Sequence, residues 1–139
     1  MIVINAENQI VGRLAAYVAK MALLGEDISI VNCENAVLSG KKENILSEYK
    51  RKRSMGIPLQ GPYHRRSPEF VVKRTIRGML PYKKEKGMKA YKRIKCYKGV
   101  PKEFSEKTFE KVPGADFSKV TKTNLVTVGE ISKELGAKI

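Results

Sequence analysis

IVINAENQIVGRLAAYVAKMALLGEDISIVNC, residues 2–33, changes periodicity twice, and those changes decide the fold. Ile2-Val3-Ile4 is a short β-branched run of the kind buried inside a sheet. A polar loop leads from Asn5 to Gly12. RLAAYVAKMALL (13–24) then concentrates strong helix formers and stops at Gly25, a favoured residue just past a helix end. At about 100° per residue Arg13 and Lys20 fall side by side and the rest of the surface is apolar, so the helix is expected to be buried on most sides. A second strand, ISIVNC (28–33), begins within a few residues. Strand, helix, strand at this spacing predicts a parallel βαβ unit and an α/β fold.

Further along, SGKKENILSEYKRKR (39–53) carries Ile45, Leu46 and Tyr49 as a narrow helical stripe that Gly56 and Pro58 terminate. Ser67-Pro68-Glu69 reads as a helix start, with a capping hydroxyl, proline at the first helical position and an acid in the first turn. That helix is expected to reach about Leu80. Val72, Ile76, Met79 and Leu80 share one arc of about 100°, and Lys73, Arg74 and Arg77 share another. KKEKGMKAYKRIKCYKG (83–99) reads as a basic helix turning into a strand around Ile94 to Tyr97. NLVTV (124–128) is a further strand. Thr127 and Glu130 then form a capping box for a closing helix with Ile131 and Leu135 inward and Gly136 as its stop. There is no internal repeat. The predicted architecture is one domain over 1–139, three-layer α/β/α with a small parallel or mixed central sheet of about four strands. Its core comes from 1–40 and about 90–139, with a basic segment, 41–89, inserted between.

A chain of 139 residues can bury roughly two-thirds of its unfolded surface, enough for a core without staples. Its net charge of +14 opposes compaction and attracts polyanions over about a Debye length. The excess is local. Residues 1–40 carry two basic and four acidic groups, residues 41–99 nineteen and four, and residues 100–139 seven and six. An anionic partner for the middle segment is implied. Cys33 and Cys96 are far apart, without a CxxC or a Cys/His cluster, and the opening residues lack signal-peptide features. Reduced thiols in a cytoplasmic protein are expected. No apolar run approaches the roughly 20 residues a membrane span needs, so no membrane partner is expected.

Enzymatic readings fare poorly. Glu34 ends the second strand at about the distance from Gly12 where a dinucleotide fold places its ribose-binding acid, but the loop has one glycine where the fingerprint needs three. Gly12 is better read as serving the turn or a close contact. Glu48-Tyr49-Lys50 is an ExK triplet of the nuclease type. Metal-dependent cleavage needs converging carboxylates, and Glu43, Glu48, Glu69 and Glu85 are scattered. Glu48 with Lys52 is better read as a helix-surface pair. His64 is the only histidine, which argues against a His-based triad or metal site; it is a phosphate or base contact, or simply exposed. No cofactor, metal or small-molecule substrate is expected.

Function therefore falls to the cations. Lys and Arg neutralise phosphates and release counterions, so roughly eight contacts would give a salt slope near −7 on duplex. In YKRKRSMGIPLQGPYHRRSPEF (49–70), prolines 58, 62 and 68 stiffen the chain and glycines 56 and 61 allow close approach. Such a loop can enter a crevice with less ordering entropy lost. Tyr49, Tyr63 and His64 are candidates to stack on unpaired bases, or the tyrosines pack on the core; stacking favours folded RNA over regular duplex DNA. A free-standing RNA-binding regulator would share these features.

Three stretches in order, GRLAAYVAKMALLGEDISIVNCENAVLSG, then Y-x-R-x-R with GP-x-x-R-x-P, then RTIRGMLPYKKEKGMKAYKRIKCYKGVP, closely resemble the universal large-subunit ribosomal protein family numbered thirteen. The resemblance covers almost the whole chain and is of the archaeal or eukaryotic type. An end soon after GEISKELG favours archaeal. It implies a mixed α/β/α fold without catalysis, and a cytoplasmic, ribosomal role in binding large-subunit ribosomal RNA and supporting its assembly, beside neighbouring large-subunit proteins. Carried onto this chain by charge and arc, the expected RNA-facing residues are Arg13, Lys41, Lys42, Lys50, Arg51, Lys52, Arg53, His64, Arg65, Arg66, Arg74, Arg77, Lys83, Lys84 and Lys86.

Overall fold

In chain order the elements are β1 (Ile2–Asn5), α1 (Val11–Leu23), β2 (Ile28–Val31), β3 (Val37–Ser39), α2 (Lys42–Ser54), α3 (Pro68–Gly78), α4 (Glu85–Lys92), β4 (Ile94–Cys96), β5 (Leu125–Thr127) and α5 (Val128–Glu134). The computed structural model describes residues 1–120 and 124–138. β1 and β2 are parallel and joined by α1, so the predicted βαβ unit is present, and β4 adds in parallel to the other edge of β2.

Register explains the composition. Ile2, Ile28 and Ile94 form one row across the three strands, and Ile4, Ile30 and Cys96 the next. These rows share one buried cluster with Leu14, Ala15 and Val18 of α1, Val72 and Ile76 of α3 and Ala90 of α4. On the opposite face Val3 and Val31 meet Phe104, carried on a single 3-10 turn, Lys102–Phe104, with the Tyr97 ring 5.4 Å from that of Phe104. β2 is consequently buried at all four positions, as a central strand covered on both faces should be. The third layer is thin: a 3-10 turn with its flanking chain stands where an α-helix could have been. Beyond β1, Glu110 makes a parallel bridge, donating its N–H to Val3 O at 2.9 Å and accepting from Asn5 N–H at 3.0 Å.

The strand expected at 124–128 exists as β5 but joins β3 in a separate antiparallel pair, Val37 opposite Thr127 and Ser39 opposite Leu125. β3 is an element the sequence pattern did not announce, because three residues are too few for a period of two to register. The Thr127 hydroxyl accepts the Glu130 N–H at 3.2 Å, which is one of the two bonds of the expected capping box, and Ile131 is buried.

α1 starts at Val11 and buries Val11, Leu14, Ala15, Val18, Ala19 and Ala22, leaving Arg13 and Lys20 exposed. Each fully buried Val or Leu contributes about 1.5–3 kcal/mol. α3 departs from expectation in two details. The Ser67 side chain makes no capping bond; its carbonyl instead accepts from Phe70 and Val71 N–H. The helix ends at Gly78, so Met79 leaves the apolar arc and is exposed, and Val71 joins Val72, Ile76 and Leu80 in the core. The core thus draws on the basic middle segment as well as on the flanks where composition placed it. α4 crosses tightly over the preceding turn, and a Cβ on Gly87 would collide with the Pro81 carbonyl.

Candidate nucleic-acid interface

α2 buries no residue fully. Ile45, Leu46 and Tyr49 form the predicted stripe, half-buried against the body, and this partial burial raises the Tyr49 phenol above its ordinary pKa. Two ion pairs tie the helix to α5, Lys42 to Glu130 at 4.0 Å and Lys50 to Glu134 at 3.5 Å, all with side chains about half exposed. Pairs this exposed contribute about 0–1 kcal/mol each. Along the helix Glu48 accepts two bonds from Arg51, at 2.7 and 3.2 Å, and lies 3.9 Å from Lys52. The Arg51 bond, more than Lys52, holds the Glu48 carboxyl below its usual range. Glu48 and Lys50 therefore serve different partners, and the ExK triplet makes no joint site.

After α2 the chain folds on itself. Gly56 has φ +92°, and a Cβ there would collide with the Gly61 carbonyl, so this turn requires glycine. The Tyr63 hydroxyl donates to Pro58 O at 2.9 Å, and Arg53 Nη1 donates to His64 O at 3.0 Å, fastening the loop to the end of α2.

Lys52, Arg53, His64, Arg65, Arg74 and Arg77 line one groove of about 780 Å³ between α2, the loop and α3, together with Tyr49, Phe70 and Tyr91. Cations lie over the local rings: Arg65 4.2 Å from the centre of Phe70, Lys73 4.8 Å from Tyr91, Arg77 4.6 Å from Tyr82 and Lys52 5.5 Å from Tyr49. An adjoining hollow shares Arg53, Tyr63, His64 and Arg65 and adds Arg66 and Lys138. Arg66 also donates to Gly136 O at 3.3 Å. Among the described residues no ion pair engages Arg53, Arg65, Arg66, Arg74 or Arg77. The crowding is felt by His64, whose pKa is pushed below 6.5 by partial burial and then by Arg74 and Lys52. It is neutral at pH 7.

Other expected residues stand apart. Arg13 donates to Gly114 O at 2.8 Å and so braces α1 against a distant loop. Lys41, exposed, precedes α2; Lys42, Lys50 and Arg51 are held by the acids named above. Lys83 and Lys84 are exposed between α3 and α4, and Lys86 lines a different hollow with Lys20, Leu24 and Met79. Phe70, Tyr91 and Lys138 were not expected in the site. All three are gathered only by tertiary folding.

The enzymatic candidates resolve into structure. Both Glu34 carboxylate oxygens accept the Gly99 N–H, at 3.1 and 3.0 Å, pinning the turn after β4 to the end of β2. Gly12 lies in the first turn of α1, and a Cβ there would meet nothing within 4 Å, so the expected turn or close contact is not found in the chain itself. Among the described residues no three His, Cys, Asp or Glu gather as a metal site, and no helix is long and apolar enough to cross a membrane. Cys33 and Cys96 are free thiols; a hydrogen bond that the Cys33 thiol donates to Cys96, together with burial, raises the Cys33 pKa.

Residues 1–103, which contain the whole of α2, the loop and α3, match the family model described as ribosomal protein L13. The chain is 47% identical over 138 residues to the large ribosomal subunit protein uL13 of Methanococcoides burtonii, covering 99% of both. It is 46% identical to the uL13 of Methanococcus maripaludis, again over 99% of both, and 43% identical to that of Methanopyrus kandleri, over 96% of this chain and 86% of the other. Relatives are mostly archaeal, as the resemblance implied. On a match this long and this continuous, the chain belongs to the ribosomal protein L13 family, and is a non-catalytic component of the cytoplasmic ribosome.

Proposed function

We propose that this protein binds large-subunit ribosomal RNA through the face formed by the end of α2, the 55–67 loop and α3, and that this contact supports assembly and tertiary structure of the subunit. One observation carries the reading: four arginines without a carboxylate partner among the described residues, Arg53, Arg65, Arg74 and Arg77, converge on one concave surface, while acids hold the cations nearer α5. Within a folded protein such a surface is compensated by phosphates. Residues 41–89 are on this reading the RNA-binding segment and the sheet with α1 the body that presents it. The loop tip is uncharged, with Leu59 91% exposed and Ile57 beside it, a surface suited to a neighbouring large-subunit protein.

Reversing Arg51, Arg53, Arg65 and Arg66 to Glu tests this. The circular dichroism spectrum should be unchanged, and the variant should stay at the top of a sucrose gradient while the wild type runs with large subunits. A wild-type protein that also stays at the top, yet binds isolated duplex tightly at physiological salt, would identify a free-standing RNA-binding regulator instead. A collapsed spectrum would mean that these arginines hold the fold.

A further inference from the structure

The groove between α2 and α3 holds more aromatic surface than phosphates require. Backbone binding needs only accessible cations, yet Tyr49, Phe70 and Tyr91, none of them fully exposed, line this hollow beneath its basic rim. Its volume of about 780 Å³ lies within the roughly 300–1,000 Å³ of pockets that enclose a small organic molecule. A regular helix is too wide to enter; one nucleotide is not.

Gly12 supplies an independent observation. It is the second residue of α1, in the first turn of the helix. Its backbone is not left-handed, and a Cβ would meet no atom within 4 Å. Nothing in the chain itself asks for glycine there. Gly12 does, however, line the groove, where the missing side chain leaves room for an occupant.

We propose that the groove receives one unstacked base of the ribosomal RNA, lying against Tyr49, Phe70 and Tyr91 with its edge over Gly12, while the flanking phosphates meet Arg53 and Arg74. This rests on the RNA-binding reading above and names what the site holds. Every base has a π-face, so an aromatic wall takes it without regard to sequence, in exchange for Lys52, Arg65 and Lys73, which lie over these rings in the free protein. The His64 imidazole lines the same groove and offers its ring nitrogens to a base edge.

Two RNA hairpins, identical except that one carries a single bulged 2-aminopurine, provide the test. The protein has no tryptophan, so the probe is read without interference. Wild type should bind the bulged hairpin about tenfold more tightly than the paired one at equal salt, within the range that losing one base–aromatic stack produces. The probe emission should change saturably. Gly12→Leu, which fills the groove, should lose the preference for the bulged hairpin. Phe70→Leu, which removes one ring at similar volume, should lose part of it and serves if Gly12→Leu does not fold. Equal wild-type affinity for the two hairpins, or a Gly12→Leu protein that keeps the preference, overturns the base pocket while leaving RNA binding intact. If neither hairpin binds with salt-dependent affinity, the RNA-binding reading falls and takes the pocket with it.

Discussion

α1 and α2 are helices of thirteen residues each, and they use that length in opposite ways. α1 buries six residues and carries two charges; α2 buries none and carries seven. Helices this short are marginal on their own in water, so each needs outside support. α1 takes it from packing against β-branched rows of the sheet. α2 takes it from a half-buried stripe, from side-chain pairs three and four residues apart, and from two exposed bridges to α5. A helix that must show cations to a partner cannot also be wrapped in core, and the division of labour between the two follows from that conflict.

A matched pair of truncations separates the two helices most strongly. Leu14→Ala should cost about 2–5 kcal/mol, the range for a large-to-small change in a sealed core. Ile45→Ala, on the half-buried stripe of α2, should cost only about 1 kcal/mol. Urea unfolding of both reads the difference directly. Equal losses would make α2 as integral to the fold as α1 and would end the separation of body from interface.

Much of this contrast was legible in the sequence because it lies in local pattern. The βαβ unit announces itself in periodicity, the α5 cap in Thr127 and Glu130, and the exposure of α2 in its thin stripe of Ile45, Leu46 and Tyr49. What was not legible depends on contacts between distant segments. Whether a lysine of α2 meets an acid is decided by Glu130 and Glu134, far along the chain, so the charge count named Lys42 and Lys50 on the same footing as Arg53. Arg13 looked like part of a basic face and is turned instead to the Gly114 carbonyl. Met79 fits the apolar arc, but α3 stops one residue earlier. Phe70 and Tyr91 have no sequence signature as groove residues, since only the packing of α2, α3 and α4 around the body brings them together.

Glu134→Gln removes the partner of Lys50 and should lower stability by less than about 1 kcal/mol, because both side chains are about half exposed. Repeating the melt at high salt should shrink the loss further, as screening already weakens the pair. A loss several times larger, unchanged by salt, would mean that α2 is anchored electrostatically and that its apolar stripe is incidental.

The smallest effect is the most local. As the only histidine, His64 gives one unambiguous C2–H resonance. In the free protein burial, then Arg74, then Lys52 hold its pKa below 6.5, whereas in the unfolded chain it titrates at about 6.5. As pH falls the unfolded state therefore takes up the proton first, so this contribution to stability is complete above 6.5 and declines as pH drops through 6.5 toward the folded pKa. His64→Gln should abolish that part of the pH dependence. Adding the paired hairpin brings phosphates to Arg74 and Lys52 and cancels the two cationic causes, so the pKa should move upward in the complex. A free-protein pKa at or above 6.5 would show that the cations do not crowd the ring, and the concentration of charge on this face, as against α1, would be smaller than the geometry requires.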